Sequence, residues 1–370
     1  MKKIIVSIYV HPEFYPPTLN AIINLAEQYE KVVVITRNNI DSNFPFPQNV
    51  RIKKLGSLTS VIDSEKQNLF FKILFYIKFL IAHIPYLFKK QNKFLCYDPI
   101  PLFTIALLCK LFFIKRHIWY HNHDMPNIKN CRKYSISWFA SKYEKESMKK
   151  INLFTLPSLD RLIYYEDVDM TNKEFKFLPN YPSTKIFCNT SSKKIDKEIK
   201  VLYQGSIATL RGFEEFGEFM AKSPLDLMLT LKGPTRNNYK FFLKENFNRL
   251  NILNKIKIIG VSNYVDLVKD MTNFHIGMAI QLGDDEIRKT LGTASNKIYE
   301  YAASGLPVIV LDNQQFRKYL DNEDWVFFYN KEKNNLEEII QDIVLNFQEI
   351  SVSARLAFEN KYNYEMYFSN

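Results

Sequence analysis

The stretch TASNKIYEYAASGLPVIVLD, residues 293–312, decides how this chain reads. It is a loop of small residues, a short helix, a sharp stop and a buried strand. Ser295 suits an N-cap, and Ile298 with Ala302 gives one apolar face at i, i+4. Gly305 fits the left-handed position just past the helix, and Pro307 closes it off. VIVL is then an apolar β-branched run suited to a parallel strand covered on both faces. The charges are arranged against the helix dipole, with Lys297 in the first turn and Glu300 one turn deeper. A cation there costs about 0.3–1 kcal/mol unless an anion docks beside it, held by free backbone N–H groups and the ammonium together. Glu300 would then accept two hydroxyls, as a ribose diol presents them. A weak exposed Lys–Glu pair is the competing account of the same residues.

Working outward, a chain of 370 residues predicts about two domains. Hydrophobic content of 46% and charged content of 24% are those of an ordinary globular protein. The 30 Phe and 22 Tyr are in excess and point to aromatic-rich surfaces. A net charge of +11 suits an anionic partner: a nucleotide, a nucleic acid or an anionic membrane. The basic residues are scattered and no recognition motif accompanies them, which disfavours nucleic acid. Cys96, Cys109, Cys131 and Cys188 share no metal spacing and read as packing thiols of a reducing compartment. The apolar IIVSIYV after Lys3 is too short for a secretory signal and runs on into a βα pattern.

Strands and helices alternate along both halves. The opening βαβ lacks GxGxxG, which argues against a nicotinamide or flavin enzyme. Residues 69–88, LFFKILFYIKFLIAHIPYLF, are long enough to cross a bilayer, but Lys72, Lys78, His83 and Pro85 interrupt them. A helix lying in a membrane interface, or one packed on the sheet with its lysines snorkelling, fits the pattern better. Residues 132–150 read as one basic helix. The polar, Lys-rich 183–199 has linker composition. The expected division is residues 1–182, the linker 183–199, a second α/β domain over 200–352, and a tail over 353–370 returning as a helix to the first domain.

YQGSIATLRG, residues 203–212, puts Gly205 and Ser206 straight after a strand and Arg211 before a helix. A βα loop at the carboxyl edge of a parallel sheet is where ligands dock, and Arg211 is a bidentate donor for a diphosphate. YHNHD, residues 120–124, ends a strand in the first half. His121 and His123 fall on one side of it with no third ligand nearby, so no metal is expected.

NKIYEYAASGLPVIV resembles the signature of glycosyltransferase family 4 and its GT-B relatives, where a Glu before a small-residue-Gly-x-Pro turn binds the ribose of a nucleotide-sugar. The resemblance is strong from 200 to 312 and looser before 180. It implies an α/β GT-B fold: two doubly wound Rossmann-like domains facing across a cleft. It also implies donor binding by Gly205, Ser206, Arg211, Gly233, Val261, Tyr264, Thr293, Ala294, Ser295, Asn296, Lys297 and Glu300. The backbone from Val261 to Tyr264 would sit against the base, and Lys297 and Arg211 would hold the diphosphate. His123 would meet a sugar hydroxyl or the leaving phosphate, oriented by Asp124. No cofactor or metal is implied, the nucleotide-diphospho-sugar being a substrate.

Two departures stand out. Ser206 occupies the place where the family commonly carries an arginine, and Gly292 the place of a glutamate that touches the donor sugar; Asp284, Asp285 and Glu286 lie upstream, out of register. The resemblance implies sugar transfer with retention at the anomeric carbon, and the apolar helices with the +11 charge suggest a lipid-linked saccharide acceptor, as in capsule, O-antigen or exopolysaccharide synthesis, on the cytoplasmic side of an anionic membrane. A catalytically reduced nucleotide-sugar-binding subunit and a GT-B-like epimerase are the alternatives.

Overall fold

The computed structural model describes residues 2–42, 44–123, 128, 131–188, 194–283 and 286–368. The chain divides into two compact units: residues up to Pro179 joined by the segment from Tyr367, and Asn180–Met366.

The first unit carries seven strands: β1 (Lys3–Ser7), β2 (Lys31–Arg37), β3 (Val50–Leu55), β4 (Lys93–Tyr97), β5 (His117–His121), β6 (Leu153–Leu156) and β7 (Glu174–Phe177). They form one sheet in the order β3-β2-β1-β4-β5-β6-β7, and every pairing is parallel. Central strands such as FLCY in β4 are buried on both faces, as parallel strands between helices must be. The order reverses between β1 and β4, a switch point where a crevice opens at the strands' carboxyl ends.

The second unit repeats the plan with β8 (Ile199–Gln204), β9 (Leu227–Lys232), β10 (Ile256–Ile259), β11 (Ile276–Ala279), β12 (Val308–Leu311) and β13 (Val326–Tyr329). Their order is β10-β9-β8-β11-β12-β13, again all parallel. Here the switch lies between β8 and β11. The helix Phe213–Lys222 follows the first of these; it starts on Gly212 at φ 74° and carries Glu214 and Glu215 in its first turn, where the helix dipole favours acids. The core of this unit gathers Val201, Leu229, Met278, Ile309 and the inner faces of its helices.

Several sequence expectations are corrected in detail. The basic segment 132–150 is two short helices, Ile136–Lys142 and Glu144–Met148. The apolar segment is a helix over Leu69–Leu87 that continues past Pro85. His83 is no interruption facing outward: it is fully buried, with Nε2 2.8 Å from Ser7 Oγ and Nδ1 2.7 Å from the Phe79 carbonyl. Phe75, Tyr76 and Phe79 share that inner face, whereas Phe70, Phe71, Leu74, Ile77 and Ile81 are exposed. The helix Phe347–Asn360 packs within the second unit, where Ser351 Oγ donates to Gly305 O at 2.7 Å and Arg355 Nη1 to Ala303 O at 2.6 Å.

Candidate functional site

The site of the second unit is built where β8 and β11 part. Two loops leave the sheet side by side, one after β8 and one after β9. Gly205 N–H donates to Lys232 O at 2.9 Å, Ile207 N–H to Pro234 O at 2.9 Å, and Ile207 bridges Thr235 in parallel fashion beyond the strands. Gly233, at φ 144°, faces Gly205 so closely that a Cβ would stand 2.0 Å from the Gly205 carbonyl oxygen. Glycine at 233 is therefore demanded by backbone-to-backbone approach, and glycine at 205 by its own φ of 124°.

The helix Asn296–Ala303 points its first turn at these loops. It ends as its sequence requires, with Gly305 at φ 65° and Leu306 N–H donating 2.9 Å to Tyr301 O, a Schellman closure. Ser295 stands at the N-cap but makes no capping hydrogen bond through its side chain, which corrects the sequence expectation. The side chain of Asn180 fixes the preceding turn instead, donating to Ala294 O at 2.9 Å while its backbone N–H binds Thr293 O at 3.1 Å. Asn296 Oδ1 is buried with no partner among the described residues.

Lys297 and Glu300 are not a surface pair. Glu300 is 3% exposed. Its Oε1 accepts from Tyr264 Oη at 2.6 Å and its Oε2 from Gln204 Nε2. Burial raises its pKa to about 7, and those two hydrogen bonds and the nearby ammonium restrain the rise. Lys297 lies over the Tyr203 ring, 4.3 Å from its centroid, with Nζ 3.2 Å from the hydroxyl. The same Nζ lies 3.2 Å from where a Gly205 Cβ would be. Burial, then repulsion from Arg211, lowers the Lys297 pKa to about 7, and Glu300 opposes the fall. Arg211 is turned by Gln281, whose Oε1 accepts from Nη1, and its Nε has no partner among the described residues. An ammonium, a guanidinium and a carboxylate thus converge on the mouth of β8 and β11.

Two residues that fix Glu300 carried little signal in the sequence. The resemblance assigns the backbone of Tyr264 to the nucleotide base; its side chain has a separate place, 3% exposed with its hydroxyl on Glu300. Gln204 has one cue in the sequence, a polar residue closing the apolar strand IKVLYQ. Val261 is 53% exposed at the end of β10, and Ser206 is exposed on the β8 loop. Gly292 has a packing reason to lack a side chain, since a Cβ would stand 2.6 Å from the Tyr319 ring and 2.8 Å from Gln315 Nε2.

In the first unit, His123 follows β5 beside the switch point. Its ring is sandwiched between Tyr97 (4.6 Å between centroids, 13° between planes) and Tyr15 (5.2 Å, 3°). Nε2 lies 2.7 Å from Thr18 Oγ1, and the backbone N–H donates to Asp98 Oδ1 at 2.8 Å. Nδ1 is buried without a partner among the described residues. Burial above all, with His121 beside it and the Arg161 guanidinium nearby, holds the imidazole neutral, its pKa far below the usual range. Asp124 lies outside the described residues, as do Asp284 and Asp285. Among the described residues no group of three or more His, Cys, Asp or Glu gathers as a metal site.

No family model matches the sequence, and no curated protein matches it. Solved structures do match in shape. Sucrose-phosphate synthase from Thermosynechococcus elongatus superposes with a TM-score of 0.69 at 14% identity, over 99% of this chain and 96% of that one. HepE of Anabaena, in complex with UDP and glucose, gives 0.70 at 12% identity over 100% and 98%. WaaG, a glycosyltransferase involved in lipopolysaccharide biosynthesis, gives 0.66 at 12% over 98% and 96%. The likeness spans both units and both parallel sheets. The chain has the two-domain α/β GT-B fold.

Proposed function

We propose that the chain is a glycosyltransferase whose second unit binds a nucleotide-diphospho-sugar. The observation that carries this reading is the pairing of Lys297 with buried Glu300 at a helix N-terminus, beside the side-chain-free backbone of Gly205 and Gly233. Free N–H groups, an ammonium and the Arg211 guanidinium suit a diphosphate, and a carboxylate one helical turn deeper suits a ribose diol. Neighbours in shape have been solved with UDP or UDP-glucose, which supports a donor of that class.

In the reaction the bond between the anomeric carbon and the β-phosphate oxygen breaks, and a bond to an acceptor hydroxyl oxygen forms. Negative charge grows on the departing diphosphate, and Lys297 with Arg211 stabilises it without rearrangement. With Glu300 held by Tyr264 and Gln204 for the ribose diol, the acceptor's proton passes to the leaving phosphate oxygen. This route keeps the configuration at the anomeric carbon. The first unit, with its aromatic and basic helices, receives a lipid-linked saccharide of envelope polysaccharide assembly, and His123 Nδ1 hydrogen-bonds a substrate hydroxyl there. We place the chain at the cytoplasmic face of an anionic membrane. WaaG and WaaB, both named for lipopolysaccharide, share the fold.

Incubation with labelled nucleotide-sugars, alone and with lipid-linked acceptors, tests the reading. Transfer, or slow donor hydrolysis without acceptor, is the expected outcome. Binding without turnover across the panel would favour a non-catalytic nucleotide-sugar-binding subunit, a reading that Gly292, closed off by Tyr319, keeps open.

A further inference from the structure

Between Gly205 and Gly212 the β8 loop carries a single cation, Arg211, and Ser206 is uncharged. A guanidinium nevertheless reaches the same mouth from another element. The segment leaving β11, Gln281-Leu282-Gly283, is fastened to the β8 loop: Leu282 N–H donates to Leu210 O at 3.0 Å, and Gln281 Oε1 accepts from Arg211. Arg288, on the short helix Glu286–Lys289, folds back onto this segment. Its Nη1 occupies the space of a Gly283 side chain, 2.1 Å from where a Cβ would be. Arg211 and Arg288 therefore lie on residues 281 and 283 of one strip of chain. The Tyr203 hydroxyl, which touches Lys297, sits in the field of both guanidiniums.

We propose that Arg288 is a third cation of the donor site, binding the diphosphate and supplying from the β11 loop the guanidinium that Ser206 does not. This rests on the nucleotide-sugar reading above. It also explains why position 283 is glycine: any side chain there would push the guanidinium off the strip.

Calorimetric titration of the full chain with nucleoside diphosphates of the four common bases, and with the matching unphosphorylated nucleosides, tests the assignment. Arg288→Gln is expected to weaken the tightest diphosphate by about tenfold or more, the scale of a charge-assisted hydrogen bond, and to leave the nucleoside unchanged. Arg288→Lys should recover part of the loss, and both variants should keep the parent's denaturation midpoint. Diphosphate affinity unchanged in Arg288→Gln but lost in Lys297→Ala would overturn the role of Arg288 alone. Equal weakening of diphosphate and nucleoside would also overturn it, as a general disturbance of the loop. If the parent binds none of the diphosphates, the nucleotide-sugar reading itself fails.

Discussion

Glu300 and Lys297 sit at the same titration point from opposite sides. Burial lifts the carboxyl to about 7 and drops the ammonium to about 7. A diphosphate needs the lysine charged, which holds below its pKa; a diol needs the glutamate ionised, which holds above its own. Nucleotide-sugar affinity should therefore peak near neutrality and fall on both sides, below about pH 6 and above about pH 8. Tyr264→Phe removes a donor that stabilises the Glu300 carboxylate, so the acidic limb should move to higher pH while the alkaline limb stays. Calorimetric titration across pH reads both limbs, and a flat profile would contradict the pairing. At this scale the sequence was half legible. Gly305 follows local helix grammar, and Lys297 and Glu300 stand out because they run against it. Tyr264 and Gln204 reach Glu300 across 36 and 96 positions of chain, and nothing near them in sequence records which way a hydroxyl or amide turns.

The loops after β8 and β9 act as one element. Their joint hydrogen bonds extend the sheet past its strands, and the Gly205–Gly233 approach leaves no room for a methyl group. Gly233→Ala adds both a clash with the Gly205 carbonyl and an unfavourable φ, so it should destabilise the chain by about 1–3 kcal/mol. Chemical denaturation measures this, and nucleotide affinity should fall with it because the loop carries the phosphate-facing backbone. Most of the strand and helix order was readable because parallel strands are continuous apolar runs between amphipathic helices, but the helix Gln314–Leu320 and the short strand β13 gave no such signal. The basic segment 132–150 was not: its charges sustain a helical pattern, yet Tyr143 breaks it with φ −103° and ψ 15°. That bend depends on packing with no marker in composition.

On the scale of the molecule, two switch points arise from two repeats of one winding, and the excess of aromatic residues finds a place on the first unit. Phe70, Phe71, Leu74, Ile77 and Ile81 form an exposed face on the helix Leu69–Leu87, and exposed Phe88 just past its end meets exposed Phe112 edge to face, 5.3 Å between centroids. Replacing Phe70, Phe71 and Ile77 by Ser should leave the denaturation midpoint unchanged within about 0.5 kcal/mol and release the chain from anionic liposomes in flotation. Unaltered flotation would show that this face is not the point of attachment. The buried side of the same helix limits what attachment can mean. A helix that peeled away to span a bilayer would carry the His83 imidazole into hydrocarbon with its Nε2 unpaired, and would leave the Ser7 hydroxyl unanswered in the sheet it abandoned. One ring tucked beneath an oily cylinder thus ties that cylinder to its own sheet, where a wholly apolar helix would have been free to sink.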